Sequence, residues 1–149
     1  MNAPLYNSDI LRLAANIPHH QRLSAPQASV EKRSATCGSR VTADVCVDED
    51  GRVVELGLEV RACALGQASA SLMAQNAIGK SAAELLAARD RLAAWLMGEG
   101  DDPDSWPDFW PGFGVIAPAR GYPARHPSIR LGFEAVAEAA AIAAGRHRE

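Results

Sequence analysis

The stretch Val41–Val60, "VTADVCVDEDGRVVELGLEV", decides the fold. Val41, Ala43, Val45 and Val47 alternate with Thr42, Asp44 and Cys46, the period of two that marks a strand with one buried face. "DEDG" (Asp48–Gly51) reads as a turn, after which Val54, Leu56, Leu58 and Val60 resume the alternation. The two runs predict an antiparallel hairpin with one apolar and one polar face. Parity puts Cys46 on the polar side, away from Val45 and Val47, as an incidental thiol. Just upstream, "ASVEKRSA" (28–35) supplies a third antiparallel strand.

Helical patterns flank the hairpin. "NSDILRLAAN" (7–16) has Ser8 and Asp9 as start signals and stops at Asn16 and Pro18, a short helix. "IPHHQRLSAPQAS" (17–29) has two prolines and little periodicity, and reads as a linker that leaves His19 and His20 in solvent. After Cys63, "ALGQASASLMAQNAIGK" carries Leu65, Leu72, Met73 and Ile78 near helical spacing and closes at Gly79. Its small residues let a helix axis approach the sheet closely. Ser81 and Glu84 form a capping box for a second helix, with Leu85, Leu92 and Leu96 on one side and Gly98 as its stop. In "EGDDPDSWPDFWPGFGV" (99–115), a loop by its prolines and glycines, Trp106, Phe109 and Trp110 cover the core or, alternatively, form a docking surface. A long alanine-rich helix ends the chain, and Arg146, His147 and Arg148 complement its C-terminal dipole.

Composition narrows the function. A chain of 149 residues suits one domain with a substantial core. The formal charge of −3, with no basic stripe interleaved with aromatics, gives no reason to expect nucleic acid. No apolar run approaches the length that spans a bilayer. The first residues lack the basic start and apolar core of a secretory signal, so a cytoplasmic protein is expected. Three cysteines, Cys37, Cys46 and Cys63, are an odd set without framework spacing, and in a reducing compartment they are thiols.

Cys37 precedes one hairpin strand and Cys63 follows its partner, so antiparallel pairing brings both to the same end of the sheet. Cys63 also sits where strand gives way to helix, beside free N–H groups that favour a thiolate. Cys37 has Arg33 and Arg40 close in sequence. Two thiolates suit a soft metal, zinc or an iron–sulfur cluster, but two donors do not close a tetrahedral site. "PARHPS" (123–128) offers His126 and Ser128 as further donors. A thiol enzyme with Cys63 as nucleophile and His126 as base needs a third group to orient the imidazole, and no sequence feature supplies one.

"ATCGS" (35–39), the hairpin, "ACALGQASASLM" (62–73), "GKSAAEL" (79–85) and "YPARHPS" (122–128) together resemble the NifU-like iron–sulfur cluster assembly scaffolds of IscU and SufU type. The similarity runs from "LYNSDIL" (5–11) to the final helix, and an insertion at about 99–121 resembles the SufU-type branch. The resemblance implies an α+β fold, a small three-stranded antiparallel sheet packed against helices, as a single scaffold domain over residues 1–149. It implies a carrier rather than an enzyme, taking sulfur from a cysteine desulfurase, building a cluster and passing it to acceptor proteins, with zinc bound in many members. Carried over, Cys37 and Cys63 match the first two cysteines of the family site. Ser39 stands at its aspartate position and Ser128 at its third cysteine. Both replace an anionic ligand with a neutral hydroxyl, a poor donor to iron or zinc. His126 takes over as a ligand if Pro127 reshapes the helix start and swings the imidazole inward; otherwise it is an exposed residue before a helix. On the same resemblance, the alternative function is a non-metal-binding interaction module that keeps the fold.

Overall fold

In the computed structural model, which describes residues 6–35, 38–99 and 110–147, the alternating stretch forms the expected hairpin. Strand β2 (Arg40–Val47) pairs antiparallel with β3 (Val53–Arg61), and β1 (Ala28–Arg33) pairs antiparallel with the other edge of β2. Asp48 builds the turn: its Oδ1 accepts from the N–H groups of Asp50 at 2.9 Å and Arg52 at 3.0 Å. Gly51, at φ +77°, supplies the left-handed residue that the reversal needs.

One strand residue departs from its expected side. Register holds from Arg40↔Arg61 to Cys46↔Glu55 and then slips, so that Val47 faces Val53. Val54 is the extra residue of this bulge, and parity reverses across it. Val53 is therefore buried while Val54 is 47% exposed, although the alternation put Val54 on the apolar face with Leu56. Two adjacent valines give no hint of which one points inward.

The outer sheet face is also less polar in its setting than its residues suggest. The segment between the first helix, α1 (Ser8–Ala15), and β1 crosses it instead of hanging as a solvated linker. The His19 carbonyl accepts from the Leu58 N–H at 2.9 Å. Gly57 permits the crossing, because a Cβ there would sit 2.5 Å from the Gln21 carbonyl oxygen and 2.8 Å from the Leu23 nitrogen. The passage seals Asp44 from solvent. Its carboxylate accepts from Arg22 Nε at 2.6 Å, the Leu23 N–H at 2.9 Å and Ser29 Oγ at 2.5 Å. Burial alone would push the Asp44 pKa up, but these donors outweigh it and hold the group below the usual carboxylate range.

On the inner face lies α4 (His126–His147), packed on β1 and β2 and flanked by α2 (Ala64–Asn76) and α3 (Ala82–Leu96). This corrects the expected use of the small residues in α2. They bring α2 against α1 and α4, and the sheet is covered by α4. Gly132 of α4 meets Ala70 of α2 so closely that a Cβ there would touch the Ala70 Cα at 3.5 Å. The α3 capping box forms in both directions, Glu84 N to Ser81 Oγ at 3.2 Å and Ser81 N to Glu84 Oε1 at 3.0 Å. Gly98, at φ +83°, follows the helix end.

Trp110 is fully buried and its Nε1 donates to the Leu72 carbonyl at 2.8 Å. It stacks edge-on against Phe133, which meets Phe113, which in turn meets Trp95, with centroids 5.0, 5.5 and 6.0 Å apart. Trp110 thus covers the core as expected, while Trp106 and Phe109 lie outside the described residues. Among the described residues no helix is long and apolar enough to cross a membrane.

Candidate thiol site

Three chain segments meet at the end of the sheet opposite the hairpin turn. The first is the β1–β2 connection. The Ser34 N–H donates to the Ser39 carbonyl at 2.9 Å and the Gly38 N–H to the Ser34 carbonyl at 3.2 Å, which closes the loop on itself. Gly38 sits at φ +71°, a conformation that glycine adopts without strain. Ser39 emerges buried, whereas Cys37 lies outside the described residues.

The second segment is the start of α2. Cys63 occupies the N-cap position with extended backbone, φ −65° and ψ 169°, and its side chain does not cap the helix. Its sulfur instead lies 3.4 Å from Ser128 Oγ, partly buried. The third segment is the first turn of α4, which carries Ser128. That hydroxyl, 2% exposed, is also 3.2 Å from Ser39 Oγ. Ser39, Ser128 and Cys63 therefore form one chain of polar contacts linking loop, strand exit and helix start. Close approach of α2 and α4 makes it possible. A Cβ on Gly66 would collide with Ser128 Oγ and lie 2.8 Å from Ala62 Cβ. Ser69 Oγ donates to the Ile129 carbonyl at 2.6 Å and pins the same crossing.

His126 is placed differently. It starts α4, and a residue two positions further on points about 200° around the helix. Its Nε2 lies 3.0 Å from the Arg120 carbonyl oxygen, and the ring is buried beside Leu96, Met97 and Pro123. The exposed position before the helix that the sequence suggested is not what forms. His126 faces Arg120 while Ser128 faces Cys63. Cys46, partly exposed, is 3.7 Å from the Ala25 carbonyl oxygen. Six residues along β2 from Arg40, it is roughly 20 Å from the site end of the sheet. His19 and His20 are exposed.

The described donors do not fit a resident zinc ion. Cys63 contributes one soft ligand and Ser39 and Ser128 two neutral hydroxyls. Among the described residues no group of three His, Cys, Asp or Glu side chains converges. Sequence reasoning offered Ser128 together with His126 as a donor from the stretch 123–128, and placed Ser39 here only through family resemblance. It missed Gly66 and Ser69, whose roles depend on how two helices cross, although a thin helix after a cysteine was a visible signal.

Residues 5–104 match the family of the NifU-like N terminal domain, and the chain belongs to that family. A solved structure of a nitrogen-fixing NifU-like protein (N-terminal) from Brucella abortus is 36% identical, with a TM-score of 0.83 over 95% of this chain and 96% of that one. The putative iron-sulfur cluster assembly scaffold protein for the SUF system from Fervidobacterium islandicum shares the fold, with a TM-score of 0.79 at 21% identity over 91% and 96% of the two chains. The iron-sulfur cluster assembly scaffold protein IscU of Thermotoga maritima is 27% identical over 135 residues, 91% of this chain and 92% of the relative. The one from Streptococcus pyogenes is 32% identical over 81 residues, 54% of this chain and half of the relative.

Proposed function

We propose that this protein is an iron–sulfur cluster assembly scaffold whose chemistry rests on the thiols Cys37 and Cys63 and whose hold on its cargo is weak. The observation that supports it most is the Cys63–Ser128–Ser39 chain, a thiol beside two hydroxyls where the resemblance expects a thiolate and a carboxylate. A neutral hydroxyl gives iron little electrostatic stabilisation, so a cluster assembled here leaves readily. Sulfur acceptance needs only a nucleophilic thiolate. The Cys63 sulfur attacks the outer sulfur of a donor persulfide, the donor's S–S bond breaks, and the donor departs as a thiolate while Cys63 keeps the persulfide. No external oxidant or reductant is consumed. A cysteine desulfurase is the donor class, and cluster acceptor proteins take the product. The setting is cytoplasmic, and residues 1–149 act as one domain.

Anaerobic reconstitution with ferrous iron and sulfide tests this reading. We expect visible charge-transfer absorption that fades within minutes of adding a chelator, and that never forms in the Cys37→Ser/Cys63→Ser double variant. Absence of both absorption and sulfur uptake in the wild type would favour the interaction-module function, a scaffold surface without its chemistry.

A further inference from the structure

The cross-strand register puts three arginines in one rank. Arg33 of β1 faces Arg40 of β2, which faces Arg61 of β3. Directly opposed residues share a face, so all three project from the outer side of the sheet, over a span of about 10 Å. Like charges in this relation destabilise a sheet. The next rank on that face, Glu31, Thr42 and Glu59, offsets them only in part. Glu31 meets Arg33 Nε at 3.0 Å and Arg40 Nε at 3.6 Å. Glu59 meets Arg61 Nε at 3.5 Å and Arg40 Nη2 at 3.9 Å. Three guanidiniums thus share two carboxylates, in a chain whose formal charge is −3. The side chains of Arg33 and Arg61 stay 65% and 68% exposed, with their Nε edges turned to the glutamates.

Location gives the rank its meaning. Arg40 directly follows Ser39, and Arg61 precedes Cys63 by two residues. The segment that crosses the outer face lies over Asp44 and Gly57, further along the strands. We propose that Arg33, Arg40 and Arg61 are the docking surface for a cluster of carboxylates on the protein that delivers sulfur to the thiol site. This rests on the reading of sulfur acceptance above. Guanidinium forks suit bidentate carboxylate recognition, and a charged rim chiefly accelerates encounter and sets the salt dependence of binding.

The test uses the full chain and the cysteine desulfurase of the same organism. Binding is titrated at low and high salt for the wild type, for Arg33→Glu/Arg61→Glu, and for a control of equal charge change remote from the rank, Arg12→Glu/Arg146→Glu, Arg146 reaching Gln27 at the opposite end of β1 from Arg33. Sulfur loading of Cys63 is followed by mass spectrometry with the desulfurase and, separately, with cysteine persulfide. We expect the rank variant to bind about tenfold more weakly or worse at low salt, with a flatter salt dependence, while the control binds as the wild type. Cysteine persulfide should load all three chains equally. Should Arg33→Glu/Arg61→Glu fail to fold beside Glu31 and Glu59, Arg33→Gln/Arg61→Gln carries the same test. Unchanged binding in a folded rank variant, loss shared equally by the control, or no binding by the wild type overturns the docking surface. Binding that follows the expected pattern while neither donor loads Cys63 supports the surface and overturns sulfur acceptance instead.

Discussion

Replacing Gly66 with alanine sets two known effects against each other at the candidate site. Alanine in a helix interior is favoured over glycine by about 1 kcal/mol. The new methyl would collide with Ser128 Oγ and come within 2.8 Å of Ala62 Cβ. Neither neighbour yields easily, since Ser128 is buried between Ser39 and Cys63 and Ala62 has no side-chain torsion to relax. Overpacking of this kind costs roughly 1–3 kcal/mol, so after the helix-propensity gain the net effect is a destabilisation of about 0–2 kcal/mol and a melting point lower by up to several degrees. Gly145→Ala is the built-in control, because a Cβ there meets nothing within 4 Å and should stabilise by about 0.5–1 kcal/mol. Urea unfolding of both variants measures the contrast. In a Ser128→Ala background part of the Gly66→Ala penalty should vanish, giving a coupling energy from a double-mutant cycle. If Gly66→Ala stabilises as much as Gly145→Ala, the close crossing of α2 and α4 that organises the site is not there.

The Asp44 carboxyl is held low in the fold, so its contribution to stability is complete above its unfolded value of about 3.9 and is lost as pH falls through the folded value. Asp44→Asn should therefore lose about 1–3 kcal/mol at pH 7 and show a flatter acid limb, read from urea midpoints between pH 7 and pH 2. In Gly57→Ala the methyl displaces Gln21 and Leu23, and the Leu58 amide, bonded to His19, should exchange with deuterium at least tenfold faster. Ser81→Ala removes the capping box of α3 and should cost about 1 kcal/mol by thermal or urea unfolding, with Cys63 alkylation unchanged.

What the sequence makes legible is local. Alternation over Val41–Val47 and Leu56–Val60 and the Ser81–Glu84 spacing each depend on residues near in the chain, and these form as read. Features that need a distant partner stay hidden. Val54 exchanges sides with Val53 because of a bulge, and Asp44 is buried by a segment some twenty residues upstream that looks like a solvated linker. The small residues after Cys63 announce a close approach but not its object, which is α4 rather than the sheet. At the site, the nearness of Ser128 to Cys63 follows from family resemblance, since spacing alone cannot favour Ser128 over His126. Helical geometry then separates the two, one toward the thiol and the other toward Arg120.

Zinc competition against a chromogenic chelator tests most directly the claim that hydroxyls have taken the place of ligands around Cys63. The wild type should surrender zinc to the chelator, whereas Ser39→Asp/Ser128→Cys, which places an anion and a second sulfur beside Cys63, should retain one ion per chain. If a folded Ser39→Asp/Ser128→Cys protein holds zinc no better than the wild type, these positions do not surround a common centre and the account of the site is wrong.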